Sequence, residues 1–150
     1  VSDALFYVEL EVKDLKLGRA IGLIECFDVT CPEALESQWA ERSRAHVLAN
    51  LRGFRRIYSG CGGGNAGLGF DDWLSAVDQG VLATDILTAL AGAIVTIEGL
   101  GHGFERTLRD DPDKMRAVHA SVKALTDLLK VDMVSVLNLE LPQIIEGDND

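Results

Sequence analysis

His102 and Glu105 stand three residues apart in Gly101-His-Gly-Phe-Glu105, so on a continuous helix an imidazole and a carboxylate face one point. Such pairs hold iron or another divalent metal in helical bundles, where the order is Glu-x-x-His and a second helix repeats it. Here the order is reversed and no second pair occurs, so a surface hydrogen bond is the competing reading. Gly99, Gly101 and Gly103 crowd the same stretch, each costing a helix about 1 kcal/mol relative to Ala, which points to close packing or a kink.

The other chemically able residues are more dispersed. Cys26 and Cys31 are close enough in sequence to close a small disulfide loop in an oxidising compartment; three reduced thiols, with Cys61, are the alternative. They form neither a zinc pair nor a haem-attachment CxxCH. His46 and His119 have no spaced partner and read as ordinary helix residues. Ser43 and Ser75 lack a Gly-x-Ser-x-Gly elbow and an identifiable base. Five glycines in Cys61–Gly69 make a loop, but no Lys follows to complete a phosphate cradle. Glu146, Asp148 and Asp150 fall short of a calcium loop and read as an acidic tail.

The elements that would position these groups follow from the apolar spacing. Residues 5–13 alternate Val8, Leu10 and Val12 against Glu9 and Glu11, a period of two that predicts a short extended segment or the frayed start of a helix. Gly18 to Cys31 reads as irregular loop. Pro32 opens a predicted long helix, with Glu33 in its first turn and Leu35, Trp39, Val47, Leu51, Phe54 and Tyr58 on its apolar face, ending before Gly60. Arg42, Arg44, Arg52, Arg55 and Arg56 decorate it as a solvated or salt-bridged face.

Phe70 to Leu74 opens a short helix with Asp71 and Asp72 at its positive end. From Val81 to Leu108, apolar residues recur at three- and four-residue spacing, which predicts one central, best-buried helix. Asp111-Pro112 starts the last helix by cap and first-turn chemistry, carrying Met115, Val118, Val122, Leu125, Leu128 and Leu129 inward toward Leu137. The expectation is an all-α antiparallel bundle of four-helix type, one domain over residues 1–150, with a short extended or irregular N-terminal segment.

Composition bounds what such a bundle does. Fourteen Lys and Arg against twenty-four Asp and Glu leave a net charge of -10, which opposes nucleic acid and anionic membrane surfaces. Cations, a metal or basic proteins are electrostatically easier. No apolar run of membrane-spanning length stands out. The absence of an initiator Met leads us to expect a processed product or a fragment of a longer chain.

Taken in order, Asn50-Leu-Arg-Gly-Phe-Arg-Arg-Ile-Tyr-Ser-Gly60, Gly69-Phe-Asp-Asp-Trp-Leu74, Leu125-Thr-Asp-Leu-Leu-Lys130, Leu137-Asn-Leu and Gly147-Asp-Asn-Asp150 resemble the C-terminal half of imelysin-like proteins, over roughly residues 33–150. The resemblance implies a secreted or lipid-anchored, periplasmic all-helical protein built of two bundles, linked to iron or haem uptake and once classed as a metallopeptidase. The family's Gly-x-His-x-x-Glu motif lies in its N-terminal half; here Leu100 stands where that Gly belongs, so the motif's role is not carried onto His102 and Glu105.

Three functional expectations follow. The first is a binding or accessory module without catalysis by this chain alone. The second is a metal-dependent hydrolase using His102 and Glu105 with ligands from a partner chain. The third is a purely structural partner subunit. In each, apolar faces left by a missing half are to be covered by an N-terminal half, a partner chain or a second copy.

Overall fold

The computed structural model describes residues 2–140 apart from Phe27 and Ala66; the acidic tail and Pro142 lie outside the described residues. Helix α1 occupies residues 2–18, α-helical over Ser2–Tyr7 and π-helical over Val8–Gly18. Then come α2 (Ser43–Tyr58), α3 (Phe70–Ala76), α4 (Gly80–Glu98) and α5 (Phe104–Asp110). Helix α6 occupies residues 112–137, α-helical over Pro112–Asp127, π-helical over Leu128–Met133 and α-helical again over Val134–Leu137. Single 3₁₀ turns stand at Pro32–Ala34 and Gly63–Asn65, and no strand occurs among the described residues. The architecture is an all-α bundle: α4 packs on α6, α3 and α2, and α1 lies against α6 and α2.

The N-terminal segment corrects the period-two reading. Residues 8–12 are helical, with Leu5, Val8, Val12 and Leu17 buried at helical spacing and Leu10 only partly covered. The alternation misleads because Glu9 is itself on the core face, 1% exposed, so a polar letter stood where polar was read as outward. The irregular stretch that was expected begins after Gly18. It runs to Cys31, whose N–H bonds the Ala20 carbonyl.

The long helix expected from Pro32 is also corrected. Pro32 opens only one 3₁₀ turn; Leu35 is extended, and α2 starts at Ser43. Between them only Leu35 is buried, while Trp39, expected on the apolar face, is 93% exposed. Without a buried stripe, tertiary packing cannot hold those turns helical. The far end of α2 behaves as expected: Ser59 is the C-cap and Gly60 adopts φ +80° just beyond it. A side chain at Gly60 would run into the Gly67 backbone.

The expected single helix from Val81 to Leu108 is two helices. Helix α4 stops at Glu98, the glycine-rich stretch bends, and α5 restarts at Phe104. The buried stripe nevertheless persists across the break: Ile86, Leu90, Ile97, Leu100, Phe104 and Leu108 all sit in the core. Helix α4 is the most apolar but not the best buried, since Val81 and Val95 face outward at 77% and 66% exposure.

By length and mean hydropathy, 1.9, α4 is apolar enough to cross a membrane, contrary to the expectation that no run of that length occurs. In this structure its Ala83, Ile86, Leu90, Ala93 and Ile97 line the protein core instead. Helix α6 follows its predicted chemistry closely. The Asp111 side chain accepts from the Lys114 N–H, Pro112 occupies the first turn, and Met115, Val118, Val122, Leu125 and Leu129 are buried, with Leu128 only partly covered.

Candidate functional site

The break between α4 and α5 wraps around the start of α2, and this junction gathers the residues singled out by spacing. Arg42, the N-cap residue of α2, supplies no capping side chain. Glu105 reaches in from α5 instead: its Oε1 accepts the Ser43 N–H at 3.1 Å. A carboxylate at a helix start meets unpaired N–H groups and the positive end of the dipole. Arg44, one residue on, donates from Nη1 to the carbonyls of Leu100 and His102, at 2.9 and 3.1 Å. The bend is thus tied to α2 through both backbone and side chain.

His102 and Glu105 therefore share a junction but not a helix. His102 lies in the bend with its residue exposed; its carbonyl makes the contact with Arg44. Glu105 Oε2 is buried and has no hydrogen-bond partner among the described residues, and a Cβ added at Gly103 would stand 3.0 Å from it. Glu105 also borders a polar cavity of about 290 Å³ with Trp39, Glu41 and Arg109. Among the described residues, no group of three or more His, Cys, Asp or Glu side chains is placed to hold a metal ion. One imidazole and one carboxylate, half of it engaged by Ser43, do not complete a coordination shell, which takes four ligands for zinc and more for iron.

The other singled-out residues are elsewhere. Cys26 and Cys31 are joined as a disulfide, with Cα atoms 6.2 Å apart, and Cys61 is a free, exposed thiol. Because the bridge spans few residues, the loop-entropy relation gives it roughly 2 kcal/mol. A Cys26→Ser, Cys31→Ser variant should lose about that amount in urea unfolding; an unchanged midpoint would show that the bridge does not hold the segment. His46 Nδ1 lies 3.3 Å from Glu36 Oε2, which Lys16 also meets at 3.1 Å. Burial pushes the Glu36 carboxyl up, but Lys16 and His46 outweigh it and hold the group below its ordinary value. His119 is buried on α6.

Sequence reasoning missed a buried ionic cluster where the two π-helical stretches meet. Glu9 Oε1 lies 2.8 Å from Lys130 Nζ and 3.0 Å from Lys13 Nζ; Lys13 is also 3.2 Å from Asp14. Glu9 and Lys13 are each 1% exposed. Burial pushes the Glu9 carboxyl up, yet hydrogen bonds from Lys130, Thr126 and Lys13 overcome it and hold the group below the usual carboxylate range. π-Helical turns are rare and concentrate at functional sites. The i, i+4 spacing of Glu9 and Lys13 was available in the sequence, but it reads there as a surface pair.

The family model described as Imelysin (peptidase M75) matches residues 7–131. The chain belongs to the imelysin family. No curated protein and no solved structure matches it. The family match begins inside α1, so it takes in that helix from Tyr7 onward and the disulfide segment, beyond the stretch from residue 33 onward that the resemblance had covered. In this imelysin domain both the junction at Glu105 and the Glu9 cluster fall within the matched residues.

Proposed function

We propose that this imelysin-family chain is a cell-envelope binding or accessory protein associated with iron or haem uptake, with no catalysis by the chain alone. The observation that carries the reading is the Cys26–Cys31 bridge in a chain of this family. Disulfides persist in oxidising compartments such as the periplasm and are rare in the cytosol. Large apolar side chains left outward, Trp39 at 93% and Leu68 at 92% exposure, fit a protein that works against a partner chain, an N-terminal half or a second copy. The test is fractionation of the native cells with thiol labelling, followed by dialysis of the purified protein against iron salts and haem. A periplasmic, label-resistant protein that retains iron or haem is expected; cytosolic protein with three labelled thiols would overturn the reading.

A metal-dependent hydrolase using His102 and Glu105 with ligands from a partner chain is the second reading. What favours it is the Glu105 Oε2 atom, buried and without a hydrogen-bond partner among the described residues. A His102→Ala variant decides it. On this reading it loses stoichiometric metal from the assembled protein while its thermal midpoint stays put, because His102 is exposed. Metal content equal to wild type removes His102 from any such site.

A further inference from the structure

Two adjoining cavities, about 540 and 280 Å³, share Ala4 and Ile57 and together form one groove between α1, α2 and the start of α3. Phe70, Trp73 and Leu68 collar the wide end; Tyr7, Gly53 and Phe54 line the narrow one. Among the described residues, no charged side chain lines either cavity. Along α2 the groove runs from Ala49 to Ile57, roughly 12 Å at the helical rise, and continues past the end of the helix to Gly60, a reach that an extended acyl chain of medium length covers. Its floor is open at Gly53, where an added Cβ would meet nothing within 4 Å. An open apolar groove of this volume is in the range that takes small ligands.

On the α2 side the charge beside it is positive, against a net charge of -10 for the chain. Helix α2 carries four arginines and no carboxylate. Arg44 is engaged by the two carbonyls and Arg52 by Glu98 at 2.8 Å, whereas the guanidinium groups of Arg55 and Arg56 form no hydrogen bond or ion pair among the described residues. Arg56 is exposed and follows Gly53 by three positions, so the two are neighbours on the surface of α2. Its carbonyl lies 3.5 Å from Cys61 Sγ at the wide end. The acidic residues at that end are turned onto α3: Asp72 accepts the Gly69 N–H, and Asp71 accepts the Asp72 N–H.

We propose that this groove binds a single-chain anionic amphiphile, a medium- to long-chain carboxylate, with its head group at Arg56 and its chain laid along Gly53. Burial of the chain supplies the attraction, and the guanidinium selects a carboxylate over a neutral head.

Calorimetric titration with dodecanoate below its aggregation concentration tests the proposal, beside the uncharged alcohol of the same chain length. Wild type should bind one equivalent of dodecanoate saturably. Gly53→Leu, which fills the open floor and replaces a glycine inside a helix, should keep the fold and weaken binding at least tenfold. Arg56→Glu should weaken dodecanoate at least tenfold and leave the alcohol unchanged. Absence of saturable binding to wild type, wild-type affinity in Gly53→Leu, or undiminished dodecanoate binding in Arg56→Glu overturns it. So does a Gly53→Leu variant that changes the mass in light scattering while wild type binds no dodecanoate, since the groove is then a contact between copies of the chain.

Discussion

Replacing Glu9 with Gln is expected to lower the unfolding free energy by about 3–5 kcal/mol, the range seen when one member of a buried ion pair is removed. The carboxylate is 1% exposed and holds two ammonium groups within 3.0 Å, so the substitution leaves buried positive charge facing a neutral amide. An intact buried cluster of this kind adds little net stability over a well-packed apolar one, but breaking it exposes the full desolvation penalty. The pH dependence has a fixed direction. A carboxyl held below its ordinary value of 4.5 contributes stability that is present above that value and is lost as pH falls through its lower, folded-state value. Wild type should therefore lose stability below about pH 4.5, and the gap between wild type and Glu9→Gln should close there. Urea midpoints measured from neutral pH down to pH 3 settle the matter; equal midpoints at neutral pH would show that the cluster is only loosely formed.

The same cluster explains where the sequence stopped being legible. Periodic apolar letters report the core when every inward position is apolar, as in α6, where Asp111, Pro112 and the stripe from Met115 to Leu129 gave start, phase and burial together. In α1 the inward face includes Glu9, Lys13 and Asp14, so the pattern at residues 8–12 imitates a strand. No local rule identifies a charge that is buried because a residue 121 positions away neutralises it. The start of α2 failed for a related reason. Pro32 and Glu33 carry genuine helix-entry chemistry, but a helix that short is held by packing, and the residues after Leu35 have no core face.

The candidate site was half legible on the same grounds. His102 and Glu105 were picked out by spacing, and the structure does bring both to one junction. What spacing could not report is that Glu105 turns toward Ser43, 62 residues earlier, and that the glycines between the two residues bend the chain. The groove beside Gly53 was not legible at all. It is made by residues of α1, α2 and α3 that are apart in sequence, and its floor is defined by a side chain that Gly53 does not have.

Phe104→Ala should cost about 3–5 kcal/mol, the range for truncating a buried Phe in a packed core. Phe104 is fully buried, and it is the first residue of α5 after the bend. Ile97, Leu100 and Leu108 continue the same stripe on either side. The bend changes the direction of the chain without releasing the stripe, so Phe104 fixes α5 to the core at the point where backbone hydrogen bonding between α4 and α5 is interrupted. Helix propensity opposes this result, since Ala is the better helix former by up to about 0.7 kcal/mol. Val95→Ala supplies the contrast on the outward face of α4. At 66% exposure it should change stability by no more than about 0.5 kcal/mol. A one-helix Val81–Leu108 rod could equally bury Phe104, so the further discriminator is Gly101→Ala, whose added Cβ meets nothing within 4 Å. In a continuous helix that change should stabilise by about 1 kcal/mol, whereas in a bend outside any helix the propensity gain is absent. A near-neutral Gly101→Ala beside a severe Phe104→Ala is the signature of two helices held by one apolar stripe.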